Sequence, residues 1–342
     1  MKSTVRRVLV PTSLSPGQMA LGSAVYDAAG STMGTSWSAR AVLAPGEQAA
    51  NVGALAAQLQ RQLDIVVAQM SHWESDSDLS RFNSAPAGSW HQLPCAFYEV
   101  LSYALEVADA SGGAYDPCSG ALVNCWGFGA HGRYDEPDFH PPSDSEITAI
   151  MARQDRSRLA VEAAARRVLQ PGGVQIDLSS VAKGYAVDQL AASLELRGVH
   201  HYLVEVGGEL RGAGVKPDGQ PWWVTLEGVP DAGEQASTVV ALHGLAVATS
   251  GDYRRHYQHR GARASHTLDP RTGYPIENNI ASVTVLHQSC MAADALSTAL
   301  SALGVEARMH FAEQHRLAAR FLLRGPSGLE EVSTTAFQAM LQ

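Results

Sequence analysis

The chain is poor in lysine. Lys2, Lys183 and Lys216 are the only three, so nearly all of the 25 basic residues are arginine. A GC-rich genome is the bland explanation, but against that background a lysine in mid-chain, Lys183, stands out. Acidic residues outnumber basic ones, and a formal net charge of −9 argues against a broad nucleic-acid footprint. A phosphate-bearing ligand would therefore be held by a local site rather than by the overall field. The four cysteines, Cys95, Cys118, Cys125 and Cys290, form no CxxC pair and show no zinc spacing. They read as free thiols in a reducing compartment. No window of about 18 apolar residues occurs, so no membrane span is expected. After Arg6 and Arg7 the apolar run is only Val8-Leu9-Val10, too short for a signal segment, and no lipid-bearing cysteine follows. The phosphate-binding pattern GxxxxGK[ST] is absent, as are internal repeats and low-complexity linkers.

What remains is ordinary for a globular protein: 342 residues, 45% hydrophobic and 17% charged. That length allows one large domain or two interleaved ones, and the absence of a linker favours one unit. Residues 1–30 read as a poorly ordered lead-in, followed by the domain proper over 31–342. Alternation predicts a strand over 34–43. A 3.6-residue period predicts a helix over 47–70, with Leu55, Leu59, Leu63, Val66, Val67 and Met70 on one face. Residues 75–83 read as a polar loop. A helix over 94–110 stops at Ser111-Gly112-Gly113, and Ser143 with Glu146 fits a capping box opening a helix over 144–154. A strand over 174–178 runs into a helix over 182–196. Strands then fit 201–206, 209–214, 222–227, 236–242, 245–249, 264–268 and 280–287. Helices fit 291–303 and 305–315, with a strand near 318–323. Hairpins are frequent and strict βαβ alternation is absent, which predicts an α+β fold rather than a doubly wound one.

Several segments carry possible chemistry, and each has a plainer reading. Gly112-Gly113-Ala114-Tyr115-Asp116-Pro117 lets backbone approach a flat ligand, and Tyr115 and Trp126 could stack on rings; a packed loop with core aromatics accounts for them as well. Asp177-Leu178-Ser179-Ser180-Val181-Ala182-Lys183 is a strand entering a helix start. Ser179 or Ser180 can cap that helix, its free N–H groups suit an anion, and Lys183 could reach the same anion. The plainer reading is a capped helix with an exposed lysine. Arg254 and Arg255 could clamp a phosphate or sit on the surface. His266 lies beside the Asp269-Pro270-Arg271-Thr272-Gly273 turn, where a histidine can act as a base near neutral pH. Asp294 and Thr298 share one helix face at i and i+4. Carboxylate and hydroxyl oxygens suit Mg²⁺ rather than zinc; an aspartate near a helix start is the alternative.

Taken in order, nine motifs resemble the ApbE family of FAD:protein FMN transferases. They are Met33-Gly34-Thr35, Ser80-Arg81-Phe82-Asn83, Gly113 to Pro117, Leu122 to Gly129, Asp177 to Tyr185, Val206-Gly207-Gly208-Glu209, Thr249 to Tyr253, Ser265 to Gly273 and Ala293 to Thr298. Each is weak alone; the ordered series, across about residues 30 to 310, is specific. The resemblance implies a single α+β unit of mixed antiparallel sheets flanked by helices, related to the T-fold. It implies a Mg²⁺-dependent transferase that cleaves the FAD pyrophosphate, releases AMP and joins FMN by a phosphoester to a threonine or serine of an acceptor flavoprotein. By position, Met33, Trp73, Ala114, Tyr115, Asp116, Asp177, Lys183 and Leu268 match the family's FAD contacts. Ser180 (through its carbonyl), Asp294 and Thr298 match its metal site, and His266 matches the histidine proposed as base toward the acceptor hydroxyl.

Two departures stand out. Cys118 and Cys125 replace what is more often a threonine and an aliphatic residue, with Cys118 beside the flavin loop. Many family members are exported lipoproteins; this sequence shows no such signal, so a cytoplasmic enzyme is expected, or a periplasmic one if the N-terminus is incomplete. Two further activities fit the same residues: an FAD pyrophosphatase, in which water replaces the acceptor hydroxyl, and an FAD-storage protein.

Overall fold

Alternating burial builds the central sheet. In the computed structural model, which describes all residues except 1–5, 12, 15, 16, 18, 46–51, 231–236 and 327, eight strands form one sheet. They are β1 (Ala24–Thr32), β2 (Thr35–Leu43), β3 (Tyr202–Val206), β4 (Glu209–Ala213), β5 (Leu245–Gly251), β6 (Ile280–His287), β7 (Ala318–Gly325) and β8 (Gly328–Ser333). Across the sheet they follow chain order from β1 to β8, each antiparallel to its neighbours.

Successive side chains point to opposite faces. Ala39, Ala41, Val204, Val206, Ala248, Val283 and Phe321 enter one core, while Val42, Leu203, Leu210, Val247 and Leu286 enter another. Three helices cover the first face: α1 (Val52–Met70), α2 (Ala182–Glu195) and α3 (Cys290–Ala302). Leu55, Leu59, Leu63, Val66 and Met70 of α1 are all buried there, as their period requires. A small sheet of Arg6–Leu9, Ser237–Leu242 and Trp222–Thr225 covers the second face through Leu9, Val240, Leu242 and Trp222. Burying both faces of the long sheet produces one layered α+β unit.

Four local expectations need correction. The segment 1–30, read as a lead-in, supplies Arg6–Leu9 to the small sheet and the start of β1 to the large one. Residues 75–83, read as loop, contain the short helix Asp78–Asn83; Ser77 caps it by accepting the Ser80 N–H at 2.9 Å, and Leu79 and Phe82 are buried. Residues 174–178 join no ladder beyond one isolated bridge, Ser119 to Gln175. The Asn83 side chain takes the place of a neighbouring strand, with its amide on the Ile176 carbonyl (2.8 Å) and its oxygen on the Ile176 N–H (2.7 Å). The strand expected over 264–268 is split between two short hairpins, Ala262–Ser265 in one and Leu268–Asp269 in the other. Position 47, given as the start of α1, lies outside the described residues. The capping box at Ser143 and Glu146 is present as expected, opening the helix Asp144–Met151. No helix of the described residues is long and apolar enough to cross a membrane.

Candidate active site

The strand register gathers several segments at one end of the sheet. Trp37 pairs with Val206 and Val247 with Leu210, so the β1–β2 turn, the β3–β4 turn and the end of β5 lie together. Met33 and Gly34 form the β1–β2 turn with φ of 49° and 71°, the positive values that suit the twist of a two-residue hairpin. The β3–β4 turn is Gly207-Gly208, with φ of 60° and 102°. A Cβ on Gly207 would lie 2.9 Å from Thr35 Cγ2, so this turn tolerates no side chain.

Helices α2 and α3 meet behind these turns. A Cβ on Gly184 would stand 2.3 Å from the Cys290 carbonyl oxygen and 2.8 Å from Asp294 Cβ. That contact lets the Gly184 N–H donate to Asp294 Oδ2 at 3.0 Å. Asp188 of α2 ties down the start of α3, accepting from the Ser289 hydroxyl (2.8 Å) and from the N–H groups of Cys290 and Met291 (both 3.0 Å). Asp294 is buried, and desolvation holds its carboxyl above the usual range although the Lys183 ammonium pulls it down. One turn on, Thr298 Oγ1 lies 3.0 Å from Ser250 Oγ, which is itself 2.7 Å from Ser297 Oγ. Ser297 donates to the Asp294 carbonyl at 2.9 Å, closing a small hydroxyl network from β5 to α3.

Lys183, in the first turn of α2, places Nζ 2.5 Å from Glu209 Oε1 at the start of β4. Glu209 is buried; desolvation raises its carboxyl, and the Lys183 ammonium pulls it back down. Tyr115 is buried too; its hydroxyl accepts from Ser180 Oγ at 3.3 Å, and burial raises its pKa strongly. The charges of Asp294 and Asp177 both reach Tyr115. Asp177 Oδ1 accepts the Ser179 N–H at 2.7 Å and lies 3.9 Å from His72 Nδ1.

His266 is near enough to this group for the Lys183 charge to act on it. Its N–H and its Nδ1 both lie close to the Arg255 carbonyl, at 3.1 and 3.2 Å. A carbonyl only accepts, so Nδ1 carries the proton and Nε2 keeps its lone pair. Burial lowers the His266 pKa to about 4, assisted by the charges of Arg255, Lys183 and Arg254, so the ring is neutral at physiological pH. Trp73 is 45% exposed beside His72, with the guanidinium carbons of Arg133 and Arg255 at 5.7 and 6.0 Å from its ring.

The structure thus brings Lys183, Asp294, Thr298, Tyr115, Ser180, Asp177 and His266 into one connected arrangement, with Met33 and Trp73 on its edges. Ala114 is buried beside Tyr115. Leu268 lies in a separate apolar cluster with Leu122, Trp126, Phe128 and Ile147. Asp116 has both oxygens engaged, by the Cys118 N–H at 2.8 Å and by Arg156 Nη1 at 3.1 Å, so here it braces its loop. Two readings from sequence are corrected. Neither Ser179 nor Ser180 caps α2: Val181 is the capping residue and makes no side-chain cap, while the Ser179 N–H donates to Asp177 and the Ser180 hydroxyl to Tyr115. Trp126 offers no free ring face, being fully buried with its indole N–H on the Gly273 carbonyl at 2.8 Å. Arg254 bonds Glu227 and the Gly207 carbonyl rather than standing free. Sequence reasoning gave no role to Glu209 or Ser250. The signal for Glu209 was a mid-chain lysine in a lysine-poor chain, because a cation drawn into a fold needs an anion.

The donor set can be tested against a metal. Among the described residues, no group of three or more His, Cys, Asp or Glu is placed to hold an ion. Asp294 uses Oδ2 for Gly184, and no hydrogen bond among the described residues uses Oδ1. Hydroxyl oxygens lie one turn on, at Thr298, Ser250 and Ser297; Cys290 lies one turn back, but burial pushes its thiol well up, so it offers no ready thiolate ligand. One carboxylate with oxygen neighbours fits Mg²⁺, which keeps waters and takes substrate phosphate oxygens, better than a metal needing a protein cage.

The layered fold and this cleft define a class: an α+β unit whose strand turns and helix crossing converge on an acid, a cation and a neutral histidine. The chain belongs to the ApbE family, whose model matches residues 33–321. It is 35% identical over 312 residues to the FAD:protein FMN transferase of Vibrio cholerae serotype O1, with 91% of each covered. To the FAD:protein FMN transferase of Haemophilus influenzae it is 33% identical over 323 residues, covering 93% of this chain and 92% of the relative. The apo form of the flavinyl transferase ApbE of Pseudomonas stutzeri superposes with a TM-score of 0.84 at 37% identity, covering 93% of this chain and 97% of the other. The flavin transferase ApbE of Vibrio cholerae gives 0.83 at 34% identity, covering 93% and 99%.

Proposed function

We propose that this chain is an FAD:protein FMN transferase, moving FMN from FAD to a threonine or serine of an acceptor flavoprotein with release of AMP. The observation that carries the reading is the meeting of Lys183, Glu209 and buried Asp294 at the α2–α3 crossing, with His266 near enough to feel the Lys183 charge. In the reaction a phosphorus–oxygen bond of the FAD diphosphate breaks, AMP leaves, and the acceptor oxygen bonds to the FMN phosphorus. The acceptor hydroxyl proton goes to His266 Nε2, whose lone pair is kept available by the Arg255 carbonyl on Nδ1. Lys183 holds the diphosphate by charge. Trp73, Met33 and the Tyr115 loop bound the flavin, with Asp177, Ala114, Asp116 and Leu268 around them. Asp294, Thr298 and the Ser180 carbonyl would hold Mg²⁺, which when bound supplies charge neutralisation for the diphosphate and the leaving nucleotide. Free thiols at all four cysteines fit a reducing compartment, and the cytoplasm is the compartment we propose.

The test is incubation with FAD, Mg²⁺ and a candidate acceptor from the same genome. In-gel flavin fluorescence on the acceptor, with AMP released in equal amount, is the expected result. Free FMN and AMP without labelled acceptor would overturn transfer in favour of hydrolysis; bound but intact FAD would make the protein a store.

A further inference from the structure

We infer that Glu209 is a positioning residue for the transfer reaction, fixing the Lys183 ammonium so that its remaining N–H groups face the FAD diphosphate. The inference rests on the function proposed above and adds to it a residue with no role so far.

Three features separate Glu209 from an ordinary ion-pair partner. It is 2% exposed, yet its second oxygen, Oε2, has no hydrogen-bond partner. Stability alone would favour satisfying both oxygens of a buried carboxylate. A second cation is close enough for its charge to be felt, but Arg254 bonds Glu227 and the Gly207 carbonyl instead. Among the described residues, the Lys183 side chain is therefore the one hydrogen-bond partner of the Glu209 carboxylate, and the Glu209 carboxylate the one partner of the Lys183 ammonium. An ammonium has three donors in tetrahedral arrangement. With one fixed on Oε1, the other two have defined directions and no acceptor among the described residues.

The backbone explains why Glu209 can do this. It follows directly on the Gly207-Gly208 turn, which brings the start of β4 beneath the first turn of α2; a Cβ on Gly207 would come within 3.5 Å of the Lys183 side chain. A flexible lysine alone would spread its charge over many rotamers, and each would have to be frozen on binding. The 2.5 Å contact removes that freedom before substrate arrives.

The experiment compares Glu209→Gln, Lys183→Met and the double variant for binding of FAD and of riboflavin, which lacks the diphosphate, by flavin fluorescence. Glu209→Gln keeps the shape and removes the charge. We expect it to weaken FAD about tenfold, the scale of one charge-assisted hydrogen bond, while riboflavin binding stays within twofold. In the Lys183→Met background the same change should have little further effect, because its target is gone. Glu209→Asp should recover part of the loss. Equal weakening of FAD and riboflavin, or the same loss with Lys183 absent, would make Glu209 a structural brace and overturn the inference. Wild-type protein that binds no FAD would instead overturn the function on which it rests.

Discussion

Replacing Gly184 with alanine tests the helix crossing that builds the site. Intrinsic propensity says the change should help, since alanine is favoured over glycine in a helix by up to about 1 kcal/mol. Packing says the opposite. The new Cβ would stand 2.3 Å from the Cys290 carbonyl oxygen, 2.6 Å from its carbon and 2.8 Å from Asp294 Cβ, whereas ordinary contact begins at 3.4 Å. Two of these atoms are backbone, so no side chain can swing aside, and α2 must part from α3 by about 1 Å. Overpacking of this kind costs about 1–3 kcal/mol. Parting the helices also stretches the Gly184–Asp294 hydrogen bond, now 3.0 Å, which as a bond to a carboxylate contributes about 1.5–3 kcal/mol. The balance is a net loss of about 2 kcal/mol, or a drop of about 3 °C in Tm for a protein of this size. Because the parting moves Asp294, transfer should also need several-fold more Mg²⁺ for half-maximal rate. Differential scanning fluorimetry and a Mg²⁺ titration of the transfer rate are the assays. A Tm at or above wild type with an unchanged Mg²⁺ requirement would refute the close crossing.

Other substitutions separate the roles of the remaining groups. Asp294→Ala should abolish Mg²⁺-dependent transfer while leaving a cooperatively folded protein by circular dichroism; turnover unchanged at low Mg²⁺ would sink the metal assignment. His266→Ala should slow transfer by about 10²–10⁴-fold, the usual contribution of a general base, and change the FAD Kd far less; equal losses in both would make His266 a ligand contact. With its pKa lowered from 6.5 to about 4 in the folded state, His266 binds fewer protons folded than unfolded between those values. Its contribution to stability is therefore fully present above pH 6.5 and is lost as pH falls toward 4; chemical denaturation at several pH values should show a shallower acid slope in His266→Ala. Ser250→Ala removes the hydroxyl that holds Thr298 Oγ1 and Ser297 Oγ, and should raise the Mg²⁺ requirement without changing the FAD Kd measured in the absence of metal.

Much of this architecture was legible in the sequence because its signals are local. The period in α1, the glycine stop after Ala110, and the box at Ser143 and Glu146 each fix a dihedral pattern within a few residues, and the fold keeps them. The readings that failed depended on partners far away in the chain. Residues 174–178 look like a strand, but Asn83 satisfies the Ile176 backbone from 93 residues away. Ser180 looks like a cap, but its hydroxyl donates to Tyr115 from 65 residues away. The order of motifs located the site without its geometry: nothing in the spacing between Lys183 and Glu209 says that their charges meet.

Where the cleft forms, the local rules are broken together. Lys183 sits in the first turn of α2, the end where the helix dipole disfavours a cation by about 0.3–1 kcal/mol. Gly184 follows it in the same turn, where alanine would be the better helix former by up to about 1 kcal/mol. Asp294 is a carboxylate on an otherwise apolar helix face, 3% exposed, and Glu209 is buried with one oxygen unpartnered. A helix pair selected only for stability would carry alanine, leucine and an exposed lysine at these positions. Four costs at one crossing, with the glycine required so that the two carboxylates and the lysine can lie close, point to a recipient other than the fold. A substrate with two linked phosphates and a divalent cation would supply both the negative charge that Lys183 lacks and the positive charge that Asp294 lacks. Binding should then raise the Tm more than either component alone, because each completes the other's site.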